Sequence, residues 1–144
     1  MQTIRCPRHK YRNCAIKNLP LAIKDVPAFS YRGLMIDSSR HFLPVKLIFE
    51  TIDAMMYNKL NVLHWHIVDE DSFPLILDSH PEIAKYASYS EDEPYTTKDA
   101  REIVAYAKRR GVRIVPELDT PGHAASWGLS PENQGVACTF GSGF

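Results

Sequence analysis

The chain has 144 residues, 44% hydrophobic and 24% charged, with 17 basic residues balanced by 17 acidic ones. That length suffices for one modest domain with a real core. The neutral balance, without any basic block, argues against nucleic acid or an anionic membrane as partner, and no apolar run approaches the length of a membrane span.

Residues 1–30 read as a mixed lead-in with prolines at 7, 20 and 27 and one short strand expected near Leu21–Ile23. The first twenty residues are basic and lack the apolar core of a signal peptide, which fits a cytosolic protein or a start at an incomplete gene boundary. Cys6, Cys14 and Cys138 leave an odd cysteine and match no common zinc spacing. There is no Asn-x-Ser/Thr sequon, so the compartment and the cysteine pairing stay open.

From residue 31 an alternating pattern begins. "YRGLMIDS" (31–38) predicts a short buried strand. Pro44 suits the first turn of a helix, in which Leu47, Ile48, Ile52, Met55 and Met56 form one apolar stripe. "NVLHWHIV" (61–68) predicts a second strand, followed by a long irregular connection over 69–95 with a helical turn near "PEIAKY". Thr96 or Thr97 caps a second long helix that buries Ile103, Val104 and Ala107, and Gly111 is placed to end it. "VRIVPEL" (112–118) predicts the third strand. The order β-α-β-α-β is that of a parallel sheet with right-handed crossovers.

The ionisable residues gather in one place on this scheme. Arg40 and His41 follow the first strand, His66, Asp69, Glu70 and Asp71 the second, and Glu117, Asp119 and His123 the third. All lie at or just past strand C-termini, the edge where α/β barrels and open parallel sheets bind ligands. His64 and His66 share one face of their strand, either as a hydrogen-bonded interior pair or as the start of a metal site. Pro121-Gly122 makes a turn that aims His123 back over the edge, where Asp119 can fix its tautomer. That pair is as readily structural as functional. Arg40 is either a barrel-end salt bridge or a planar fork of donors for sugar hydroxyls or a carboxylate.

The stretches "YRGLMIDSSRHFLP", "YNKLNVLHWHIVDEDSFP" and "RGVRIVPELDTPGHAASWG" resemble, in order and spacing, three successive motifs of the β-N-acetylhexosaminidases, glycoside hydrolase family 20. The likeness runs from about residue 19 to 128, and the tail from Leu129 matches less well. It implies the first three β/α units of a (β/α)₈ TIM barrel, with residues 31–144 as the N-terminal part of the catalytic domain. It also implies that Arg40 binds the hydroxyls of a terminal N-acetylhexosamine, and that Asp69, Asp119 and His123 support the catalytic acids. Glu70 departs from the family, which commonly has a second aspartate there. His64, Trp65, His66 and Asp69 are expected to form the wall and floor of the sugar pocket.

The family removes terminal GlcNAc or GalNAc with retention, without a protein nucleophile. The 2-acetamido oxygen of the substrate attacks the anomeric carbon, a glutamic acid protonates the leaving oxygen, and an adjacent aspartate orients the acetamido group. No cofactor or metal is implied. Partners are glycans ending in N-acetylhexosamine, and the compartment implied is lysosomal or secreted. The Asp-Glu pair belongs to a "GGDE"-type motif after a fourth strand, which these 144 residues do not contain. The chain is therefore expected to be a fragment, inactive by itself. Two alternatives stand beside this reading: a metal-dependent barrel hydrolase built on His64 and His66, and a non-catalytic carbohydrate-binding fragment.

Overall fold

A computed structural model of the chain describes residues 15, 16 and 19–137. Cys6, Cys14 and Cys138 lie outside the described residues. The chain divides into two compact units, Met1–Ser30 and Tyr31–Phe144. In the first, residues 19–30 hold no helix or strand, and the strand expected near Leu21–Ile23 is not formed. Leu21 and Ile23 are 46% and 55% exposed, and neither pairs in a ladder among the described residues.

The second unit runs β1 (Gly33–Asp37), α1 (Val45–Tyr57), β2 (Val62–Val68), α2 (Pro81–Ala87), α3 (Thr97–Lys108) and β3 (Arg113–Leu118). The three strands form one parallel sheet in the order β1-β2-β3. Its register brings Asp37 opposite His66 and His66 opposite Glu117.

Local chemistry explains how helices feed strands. Pro44 stands just before the first residue of α1, and its carbonyl accepts from the amides of Leu47 and Ile48. At the other end the Leu60 amide reaches back to the Met55 carbonyl, and the Lys59 amide to that of Met56. This Schellman closure needs a left-handed residue, and Lys59 supplies it at φ 58°. Helix α3 starts on Thr96, which forms a capping box with Asp99. It closes in the same way, with Gly111 at φ 71° and the Val112 amide on the Ala107 carbonyl. Both helices thus turn into the next strand through one backbone device.

The core lies between the sheet and its helices. Leu63, Trp65 and Ile67 of β2 pack with Ile48, Ile52 and Met55 of α1, Ile103 and Ala107 of α3, and Phe73, Ile83 and Tyr95 of the connection. The helix stripes are narrower than the sequence suggests: Leu47, Met56 and Val104 are 45%, 39% and 49% exposed. Each sits toward the margin of its stripe, and Val104 still lines an apolar cavity with Trp65, Ile67 and Ile114 of the sheet. Trp65 points into this core rather than toward a pocket, because strand side chains alternate and it lies between His64 and His66. Its indole N–H donates to Ser38 Oγ at 2.8 Å, and its ring meets Tyr95 edge-on with centroids 5.1 Å apart. Tyr95 donates to the Leu43 carbonyl at 2.5 Å, and burial pushes its phenol up to about 12. Outside the core, Asp53 of α1 bonds Arg110 and Tyr106, which clasps the two long helices. No helix among the described residues is long and apolar enough to cross a membrane.

Candidate active site

The face of the sheet opposite the helices carries Met35, Asp37, His64, His66, Val115 and Glu117, by the alternation of side chains along paired strands. Its C-terminal edge is where the loops after β1, β2 and β3 meet, and short polar side chains tie those loops together. Ser39 Oγ donates to the Ser72 carbonyl at 2.8 Å, and Ser72 Oγ returns a bond to the Ser39 carbonyl at 2.6 Å. Ser126, from the loop after β3, donates to the Asp69 carbonyl at 2.5 Å. These serines are fully buried, so each leaves water for a backbone partner that water cannot reach, and the three loops hold one geometry.

Arg40 is aimed from below by Asp37. One oxygen of that carboxylate accepts from the amides of Ser39 and Arg40, at 3.0 and 3.1 Å, and closes an Asx-type turn. The other accepts from Arg40 Nη1 at 2.6 Å. Burial raises the Asp37 carboxyl, but the Arg40 amide and guanidinium and the Ser39 amide outweigh it, and the group lies below its ordinary value. The Arg40 fork then crosses to the second loop, where Nη2 donates to Asp69 Oδ2 at 2.7 Å. Nε stands 3.6 Å from Asp71. Asp37, ahead of the other carboxylates, raises the guanidinium further above its ordinary value.

Asp69 has no exposed surface, yet both its oxygens are occupied. Oδ1 accepts from the Glu70 amide at 2.7 Å, and Oδ2 faces both Arg40 Nη2 and His66 Nε2, the latter at 2.8 Å. A buried carboxylate is tolerated only with such partners. Glu70 itself is exposed.

Asp119 and His123 meet at 2.9 Å through Oδ2 and Nδ1. His123 sits at φ 52°, a left-handed conformation that histidine adopts more readily than bulkier residues. The bond to Asp119, and then the charges of Asp69 and Asp119, raise its imidazole above the ordinary value.

All four residues singled out in the sequence therefore stand at one edge: Arg40 touches Asp69, and Asp119 and His123 come together beside them. Ligand atoms of Asp69, Asp119 and His123 lie within 4.8 Å of one another, and so do those of His66, Glu117 and Asp119. Among the described residues no group of three ligating side chains includes His64, so nothing there joins His64 and His66 in the one site that the metal reading expected. The His64 ring is turned to Glu117 instead, with Nε2 2.5 Å from Oε2. Asp37 and Glu117 take structural parts that the sequence did not reveal. The signal was the register: in a parallel sheet, residues at matched depth on one face become neighbours.

Parallel β/α units with acids, imidazoles and a guanidinium converging beyond the strand C-termini define one wall of a catalytic β/α barrel. Comparison with known proteins agrees. Residues 29–139 match the model of the glycosyl hydrolase family 20 catalytic domain. Beta-hexosaminidase subunit beta of Mus musculus is 52% identical over 117 residues, 81% of this chain and 22% of the relative. Beta-hexosaminidase 3 of Arabidopsis thaliana is 58% identical over 109 residues, 76% of this chain and 20% of the relative. Among solved structures, the chitobiase of Flavobacterium johnsoniae superposes with a TM-score of 0.68 at 43% identity, covering 72% of this chain and 15% of that one. The chain belongs to glycosyl hydrolase family 20. It spans about a fifth of the length of the curated relatives it matches.

Proposed function

We propose that residues 31–144 form the first three β/α units of the catalytic barrel of a β-N-acetylhexosaminidase, an enzyme that removes terminal GlcNAc or GalNAc with retention. The observation that carries this reading is the Arg40 fork, held at the barrel rim by Asp37 and Asp69. A guanidinium has five N–H donors in a fixed plane. Asp37 and Asp69 engage one on each terminal nitrogen, which leaves the second N–H of each to sugar hydroxyls.

In this reading Arg40 fixes the non-reducing sugar by its hydroxyls, and Asp69 fixes Arg40. Asp119 and His123 lie beneath the position of the general acid and its aspartate partner, which the family places after a fourth strand. His123, held by Asp119, supplies an N–H at a fixed height there. The aspartate aligns the acetamido oxygen with the anomeric carbon, and alignment with nearby negative charge is what an oxocarbenium-like transition state requires. Glycans ending in N-acetylhexosamine are the substrates, and the compartment is lysosomal or secreted, as the family likeness implies.

The test is a chimera in which residues 29–139 replace the matching stretch of the Arabidopsis beta-hexosaminidase 3. Release of nitrophenol from an aryl N-acetylglucosaminide is expected. A folded chimera without turnover refutes the proposal, since the rest of the barrel is then supplied.

A further inference from the structure

Both ring nitrogens of His66 face carboxylates. Nε2 lies 2.8 Å from Asp69 Oδ2 and Nδ1 lies 3.1 Å from Glu117 Oε2. A neutral imidazole donates from one nitrogen and accepts at the other, whereas an ionised carboxylate only accepts. Only the doubly protonated ring satisfies two ionised partners together. Glu117 Oε2 also faces His64 Nε2 at 2.5 Å, and an ionised oxygen has lone pairs enough to accept from both rings. The His66 side chain is 8% exposed, so water offers little in exchange.

We propose that His66 is a positioning residue of the sugar pocket: donating from both ring nitrogens, it spans Glu117 and Asp69 and fixes the carboxylate on which the Arg40 fork rests. The chain of contacts runs from β3 through β2 to the loop after β1, as Glu117–His66–Asp69–Arg40. Asp69 accepts on one oxygen from a cation on either side, and removing one lets the carboxylate rotate toward the other. The role rests on the reading of Arg40 as a sugar-binding residue.

The groups around His66 favour its charged form. Asp37 faces it from β1, Glu117 from β3 with Asp119 beyond, and Asp69 from the following loop, against the cations Arg40 and, when protonated, His64. Burial opposes the charge, but the bonds to Asp69 and Glu117 and the charges of Glu117 and Asp37 outweigh it and raise the imidazole. The bridge is therefore complete below the ordinary histidine value and is lost as pH rises through the raised one.

The decisive variant is Glu117→Gln in the chimera, which removes a charge from the Nδ1 side with little change of shape. The alkaline limb of kcat/KM is expected to move to lower pH. At neutral pH, KM should rise about 2- to 10-fold, the range of one hydrogen bond, with kcat less affected. Carbon-13 histidine NMR of the parent should show His66 titrating above about 6.5, the ordinary histidine value, and Glu117→Gln should lower that midpoint. An active parent whose alkaline limb is unmoved by Glu117→Gln overturns the His66 role alone. A parent midpoint at or below the ordinary value overturns it even where Glu117→Gln fails to fold. A folded but inactive parent refutes the proposed function and the pocket role together.

Discussion

Replacing Arg40 by alanine in the active chimera isolates the sugar-binding claim. The Arg40 side chain is 45% exposed, and its terminal nitrogens already bond Asp37 and Asp69 at 2.6 and 2.7 Å. Two terminal N–H groups remain for substrate. A hydrogen bond to a charged group contributes about 1.5–3 kcal/mol. Because the fork is half in water, one bond's worth rather than two is the reasonable sum. The variant should lose about 10- to 150-fold in kcat/KM for nitrophenyl N-acetylglucosaminide. The fold should survive, since Asp69 keeps the Glu70 amide and His66 as partners, and Asp37 keeps two backbone amides. Arg40→Lys should recover little, because a single ammonium cannot serve two carboxylates and the sugar in one plane. The assay is steady-state kinetics beside a circular-dichroism melt of each variant. A folded Arg40→Ala protein with parental kcat/KM would show that Arg40 is only a barrel-end salt bridge.

Three further outcomes are expected. The 144-residue polypeptide alone should give weak hydrogen-exchange protection and aggregates on size exclusion, because β1 and β3 each pair on one side only among the described residues and Met35, Val115 and Leu118 are exposed; a sharp cooperative melt from a clean monomer contradicts this. That polypeptide should not release nitrophenol above an Asp69→Asn control, since general acid catalysis typically supplies about 10²–10⁴-fold and these residues place no acid beyond a fourth strand; turnover above the control would make Glu70 or Glu117 the acid. Asp119→Asn in the chimera should lower the His123 midpoint, because the Asp119 bond is the first cause of its elevation; the Asp119–His123 contribution is full below the ordinary histidine value and fades as pH rises through the raised one, and an unchanged NMR titration would sever the pair.

The sequence by itself determined the order of elements, the edge that carries the chemistry and the family. Helix periodicity, the Thr96 cap and Gly111 are local signals, and a residue just past a strand end lies at that edge whatever its neighbours do. The strand forecast near Leu21–Ile23 failed because a short apolar run becomes a strand only beside a partner, and partners are not local. The same limit explains Leu47, Met56 and Val104: periodicity gives the stripe's direction, but how much of it is covered depends on what packs against it. Trp65 stands between two histidines that suggest a pocket, but alternation along the strand sends it to the core. Lys59 in a left-handed turn could not be read at all, since nothing in lysine marks it. What only the tertiary structure decided is the wiring of the site. Glu117 reaches His66 across 51 residues of chain, and Arg40 reaches Asp69 across 29. Those contacts follow from strand register and from serine bonds between loops, which are set when the whole sheet packs and are written in no single segment.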